Sequence, residues 1–140
     1  MNENLSRPVT VLVIARQGRL RDGLQAILQA SPWVDEVVCQ QPQTAVPFFP
    51  LLENPTLIVL DIDVLQTFPQ SERHGWRAAA GDPRLIVLVN TAQQRHQALE
   101  LVADAILLKG FSTETLYRTL EAVLRSRPSA SQLSLELYGR

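Results

Sequence analysis

Five short apolar runs punctuate the chain, and between them the apolar positions recur at helical spacing. The runs are "VTVLVIA" at 9–15, "VDEVVC" at 34–39, "TLIVLDID" at 56–63, "PRLIVLVN" at 83–90 and "ADAILLKG" at 103–110. Most are apolar throughout rather than alternating, which predicts strands buried on both faces. The first run leads into a helix that begins near Arg19 and carries Leu20, Leu24, Ile27 and Leu28 on one face. Residues 41–55 should hold a second helix, short or irregular, because Pro42, Pro47 and Pro50 interrupt it. Residues 70–81 predict a helix closed by Gly81, and residues 92–102 predict another. The last helix has the plainest signature. Ser112 can cap it, Glu114 suits its positive end, and Leu116, Leu120, Val123 and Leu124 form its apolar stripe. Pro128 lies beyond it, and the polar remainder "SASQLSLELYGR" is a loose tail, a linker stub or an added strand.

Strands separated by helices imply an α/β fold with a parallel sheet covered on both faces. Right-handed crossovers leave few topologies for so short a chain, and the flavodoxin-like three-layer sandwich of strand order 2-1-3-4-5 leads them. The expected division is an N-terminal tail at 1–8, one domain at 9–126 and a C-terminal tail at 127–140. Ligands of such sheets bind at the carboxyl ends of the strands. Here those ends carry Ala15 and Arg16, Asp61 to Asp63, Val89, Asn90 and Thr91, and Lys109.

Composition narrows the chemistry. A chain of 140 residues, 46% hydrophobic and 19% charged, is one soluble domain's worth. A net charge of −1 gives no bulk electrostatic case for nucleic-acid binding. Cys39 is the single cysteine, which excludes an internal disulfide and a cysteine-based metal cluster. No apolar run has the length of a membrane span, and "MNENLSRP" lacks the core of a signal peptide, so a cytoplasmic location is expected and no membrane partner. There is no Gly-rich phosphate loop and no Ser-His-Asp or Cys-His pattern. His74 and His96 lack partners at ligand spacing, and Trp33 and Trp76 suit packing or an interface. The sole lysine among 13 basic residues is Lys109, which singles out a place where a compact ammonium is kept.

In order, "VLVIARQGRLRDGL", "PTLIVLDIDVL" and "VADAILLKG" resemble the three signature stretches of response-regulator receiver domains, closest to the NarL/FixJ kind. The resemblance covers about residues 9–126. It implies a CheY-like fold and a place in two-component phosphorelay signalling. By that resemblance Asp61 takes the phosphoacceptor position, Lys109 the active-site lysine, and Asp63 a residue whose backbone carbonyl helps hold the metal. Other positions depart from the pattern. The family's Mg²⁺-binding acidic pair falls on Ala15 and Arg16, its Ser or Thr on Val89 with Thr91 two residues late, and its aromatic switch residue on Ile106.

Losing two carboxylates removes hard oxygen ligands and adds a repelling charge, so no Mg²⁺ cofactor is expected beyond weak binding at Asp61 and Asp63. Two readings of Arg16 stand: its guanidinium closes onto Asp61 beside Lys109 and replaces the metal, or it points to solvent. The expected function is a pseudo-receiver, not an enzyme, acting through protein–protein contact. The alternative is a working receiver phosphorylated on Asp61 by a histidine kinase. A small flavodoxin-like enzyme or cofactor binder is a third class. The partners implied are a histidine kinase, an output protein or a second copy of the chain. Regulators of this kind continue into a DNA-binding helix-turn-helix that these 140 residues do not include, so direct nucleic-acid binding is not expected.

Overall fold

The computed structural model describes residues 8–40, 55–67 and 81–125. Within them five parallel strands form one sheet: β1 (Thr10–Ile14), β2 (Glu36–Gln40), β3 (Leu57–Asp61), β4 (Arg84–Val89) and β5 (Ala105–Leu108). Their order is β2-β1-β3-β4-β5, so the chain runs outward from β1 in both directions. This is the order expected from the sequence. Three α-helices are described: α1 (Arg19–Gln29), α2 (Arg95–Glu100) and α3 (Thr113–Arg125). The expected helices at 41–55 and 70–81, His74, Trp76 and both tails lie outside the described residues or nearly so.

Alternate residues of each strand feed two separate cores, as a pleated backbone requires. Leu12, Ile14, Ile58, Leu60, Leu85, Val87 and Ile106 point to one side, where Ala98 of α2 and Leu101 meet them. Val11, Val13, Leu57, Val59, Ile86 and Leu88 point to the other, against Leu24 and Leu28 of α1 and Leu116, Leu120 and Val123 of α3. Both faces are therefore dry, which is why the strands carry almost no polar positions. Each fully buried Leu, Ile or Val contributes about 1.5–3 kcal/mol relative to an exposed one.

Several element ends differ from the sequence expectation. The third strand stops at Asp61, and residues Ile62–Thr67 continue as a 3-10 helix. The helix expected at 92–102 is a 3-10 turn, Ala92–Gln94, followed by α2. It ends at Leu101, and Val102 follows in a left-handed conformation, φ 59°, with 56% of its surface exposed. A β-branched residue there is strained, because its side chain crowds the backbone. Ser112 caps α3 as expected, its Oγ accepting from the Thr115 N–H at 3.1 Å. On that helix Thr119 is buried and Leu124 only half-buried.

Two clasps tie elements together, one at the start of β4 and one between two helices. Asp104 Oδ2 accepts from the Leu85 N–H at 2.7 Å, and the Asp104 N–H returns a bond to the Leu85 carbonyl at 2.8 Å. The Tyr117 hydroxyl of α3 donates to the Ile27 carbonyl of α1 at 3.0 Å, and Trp33 meets the Tyr117 ring edge-on at 6.0 Å between centroids. Trp33 thus packs, as its type suggested.

Candidate functional site: the carboxyl ends of β1, β3, β4 and β5

Parallel pairing brings the strand ends into one row. Asp61 is the last residue of β3 and lies opposite Leu88 of β4. Val89 lies opposite Leu108 of β5, and the ladder runs one step further, the Lys109 N–H donating to the Val89 carbonyl at 2.8 Å. On the other flank the Ala15 N–H donates to the Gln40 carbonyl at 3.3 Å. Ala15, Asp61, Asn90 and Lys109 therefore sit at adjacent strand exits. Gly110, at φ 93°, turns the chain away directly after Lys109, a conformation that suits glycine.

The Lys109 ammonium lies between two carboxylates. It is 2.6 Å from Asp61 Oδ1 and 2.9 Å from Asp63 Oδ2. The switch from strand to 3-10 helix at Ile62 makes this contact possible. It folds Asp63 back so that its N–H donates to Asp61 Oδ1 at 3.0 Å, and its side chain comes to the same side as Lys109. Asn90 completes the cluster, its Nδ2 donating to Asp63 Oδ1 at 2.9 Å. In turn the Asn90 N–H donates to Gln94 Oε1 at 2.6 Å.

The electrostatics follow from this geometry. The hydrogen bond from Lys109, helped by its charge, by Asn90 and by the charge of Arg16, holds the Asp63 carboxyl below its ordinary value against the opposing effect of burial. Burial acts to lower the Lys109 ammonium, but its bonds to Asp61 and Asp63 outweigh that and raise it. One cation thus neutralises half of a two-carboxylate site. Elsewhere, burial pushes the Cys39 thiol up, which disfavours the reactive thiolate.

The remaining sequence-selected residues separate into two groups. Ala15 and Val89 are buried in the two cores, Ile106 is buried in β5, and none of the three offers a polar group to the site. Thr91 is exposed, and its N–H faces Gln94 Oε1 at 3.4 Å. Arg16 is exposed and forms no ion pair with Asp61 or Asp63; its influence on Asp63 is through charge at a distance. The closure of Arg16 onto Asp61 is not made. Lys109 is nearer, shorter and already fixed by the β5 ladder, whereas Arg16 leaves β1 toward solvent. Gln94 is the participant that sequence reasoning passed over. Its signal was the Thr91-x-x-Gln94 spacing at a helix start, where a Gln side chain reaches back to free N–H groups.

The sequence resemblance implies Mg²⁺ at this site, and the donor set does not fit it. A methyl and an exposed arginine stand where β1 would supply carboxylates, and Lys109 holds one oxygen of Asp61 and one of Asp63. Among the described residues no group of three or more His, Cys, Asp or Glu side chains is placed to hold a metal ion.

No protein-family model matches the chain, and no curated protein matches it. Solved structures do. The chain superposes on the response regulator ChrA of a heme-sensing two-component system with TM-score 0.63 at 20% identity, over 95% of this chain and 67% of that one. It also superposes on the isolated REC domain of RcsB from Salmonella enterica serovar Typhimurium, with TM-score 0.63 at 17% identity, over 91% of this chain and 99% of that one. The fold is that of a receiver domain. A CheY-like response regulator from Mesorhizobium loti gives TM-score 0.59 at 15% identity, covering 82% of this chain and 98% of that one. At such identities the likeness is one of receiver fold alone. In that fold the described helices bear no membrane span: none is long and apolar enough to cross a bilayer.

Proposed function

We propose that this chain is a pseudo-receiver: a receiver-like module of a two-component signalling protein that works by protein–protein contact, without Mg²⁺-dependent phosphorylation of Asp61. The observation that carries the proposal is the β1 exit, where a buried Ala15 and an exposed Arg16 stand in place of two metal-binding carboxylates. Phosphorylating a carboxylate gathers negative charge on one oxygen cluster, and a divalent ion bridging carboxylate and phosphoryl oxygens is what normally offsets it. Here a single ammonium already spans the two acids, and the β1 exit contributes no carboxylate. Val89 supplies no hydroxyl for a phosphoryl group, and Ile106 supplies no aromatic ring to reorient in response. The signature stretches favour kinship with receivers of the NarL/FixJ kind. Its partners would be a kinase, an output protein or a second copy, in the cytoplasm.

One observation favours the alternative of a working receiver: Asp61 ends β3 with Lys109 directly on it, the arrangement that resemblance to the family implies. Intact-mass measurement after incubation with acetyl phosphate and Mg²⁺ separates the two. The pseudo-receiver gains no phosphoryl group. A stoichiometric gain that disappears in Asp61→Asn establishes the working receiver instead.

A further inference from the structure

Polar contacts run from the end of β3 to the first turn before α2, the last of them through the Asn90 backbone. Asp61 meets Lys109, Lys109 meets Asp63 Oδ2, Asp63 Oδ1 accepts from Asn90 Nδ2, and the Asn90 N–H donates to Gln94 Oε1. The path uses no hydroxyl and does not pass through Val89, whose side chain is fully buried in the core. Asp63 is its only link between the Lys109 ammonium and the turn at residues 90–94.

Asp61 and Asp63 are two carboxylates, two residues apart, with one ammonium between them. Two like charges at this spacing repel, and the repulsion is strong where water is partly excluded. The Asp63 side chain is 37% exposed, so a solvated alternative is open to it. It stays folded back because Lys109 offsets the charge of Asp61. Without the ammonium, the Asp63 carboxylate would keep the bond from Asn90 and the distant charge of Arg16, but no cation in contact, against that repulsion.

We infer that Asp63 is a latch: it fastens the turn after β4 to the exit of β3, and Lys109 keeps it shut. The inference does not depend on whether Asp61 ever accepts phosphate. Any event that draws the ammonium away from Asp63 opens the turn at 90–94, and with it the start of α2. The domain can then change the surface at this corner by moving one side chain, with both cores left intact.

Amide hydrogen exchange on the full chain tests the latch, read at Asn90, Thr91 and residues 92–95. Asp63→Ala, Asn90→Ala and Lys109→Met should each speed exchange there by roughly tenfold or more, the scale of one lost hydrogen bond to a charged group. Val59 and Leu60 in β3 should speed by no more than the drop in global stability that urea denaturation gives for the same variant. The double variant Lys109→Met/Asn90→Ala should exchange no faster than the faster single one, because both open the same latch. Arg118→Ala, remote on α3, should match wild type. Unchanged rates at 90–95 in Lys109→Met overturn the inference, as does multiplicative acceleration in the double variant. Acceleration in β3 beyond that drop in Asp63→Ala and Asn90→Ala overturns it too, since the loss would then reach into the sheet. Should Lys109→Met fail to fold, those two variants decide the matter through the same readout.

Discussion

The Lys109 ammonium, not the Arg16 guanidinium, closes on Asp61, at 2.6 Å. Two cations compete for one carboxylate in the sequence, and the backbone chooses between them. Lys109 is held by its N–H on the Val89 carbonyl, so its side chain enters over β3. Arg16 leaves β1 at the surface. Replacing Arg16 by Ala should therefore leave thermal stability within about 0.5 kcal/mol, the range for exposed substitutions away from special features. Lys109→Met should cost about 1–3 kcal/mol, since it strands the largely buried Asp61 carboxylate without its cation. Chemical denaturation of the two variants checks both figures.

Acid should weaken the fold partly through Asp63. Its folded value lies below the ordinary 3.8 because Lys109 hydrogen-bonds the ionised form. Its contribution is therefore complete above the unfolded value and lost as pH falls through the folded one. Lys109 behaves in the opposite sense: raised above 10.5, it contributes fully below that value, and the contribution is lost as pH rises through the folded one. Urea midpoints taken between about pH 5 and pH 3 should fall more steeply for wild type than for Asp63→Asn. Parallel slopes would show that Asp63 plays no part.

Val102→Gly should stabilise the protein. Relief of the left-handed strain, about 1–2 kcal/mol, exceeds the entropic cost of glycine, about 0.5–1 kcal/mol. Little packing is lost, because more than half of the Val102 surface is exposed. The measurement is the thermal midpoint, which should rise, while Val102→Ala should fall short of the glycine variant.

Asp104→Ala should be costly for a residue so far from the strand exits. It removes the acceptor of the buried Leu85 N–H, at 2.7 Å, and leaves that donor unsatisfied. A loss of about 1–3 kcal/mol follows. Asp104→Asn keeps an oxygen for the same N–H and should lose less. A pair of denaturation curves distinguishes them.

Much of the fold was legible because both faces of the sheet are dry. Runs such as "LIVL" at 57–60 and "LIVLV" at 85–89 have nowhere to sit except between two helical layers. Asp61 and Lys109 were legible as well, since the strand order sets their strand ends on either side of β4, a gap that the long lysine side chain spans. Asp63 was harder. Its side chain joins the site only because β3 gives way to a 3-10 helix at Ile62, and a run ending "LDID" does not reveal where a strand stops. The fate of Arg16 was open for a different reason. A long side chain at a strand exit can reach inward or outward, and what decides is whether a better-anchored cation already fills the space.

Lys109 is also the chain's only lysine. The group that closes the site is consequently the only side-chain amine the protein owns. An amine-selective reagent has no other side chain to modify, so labelling of an internal peptide reports on this one contact. The protein carries its own probe: how fast Lys109 is acylated by an external reagent tracks how readily its ammonium leaves the two carboxylates and gives up its proton, with no engineered tag and no foreign residue.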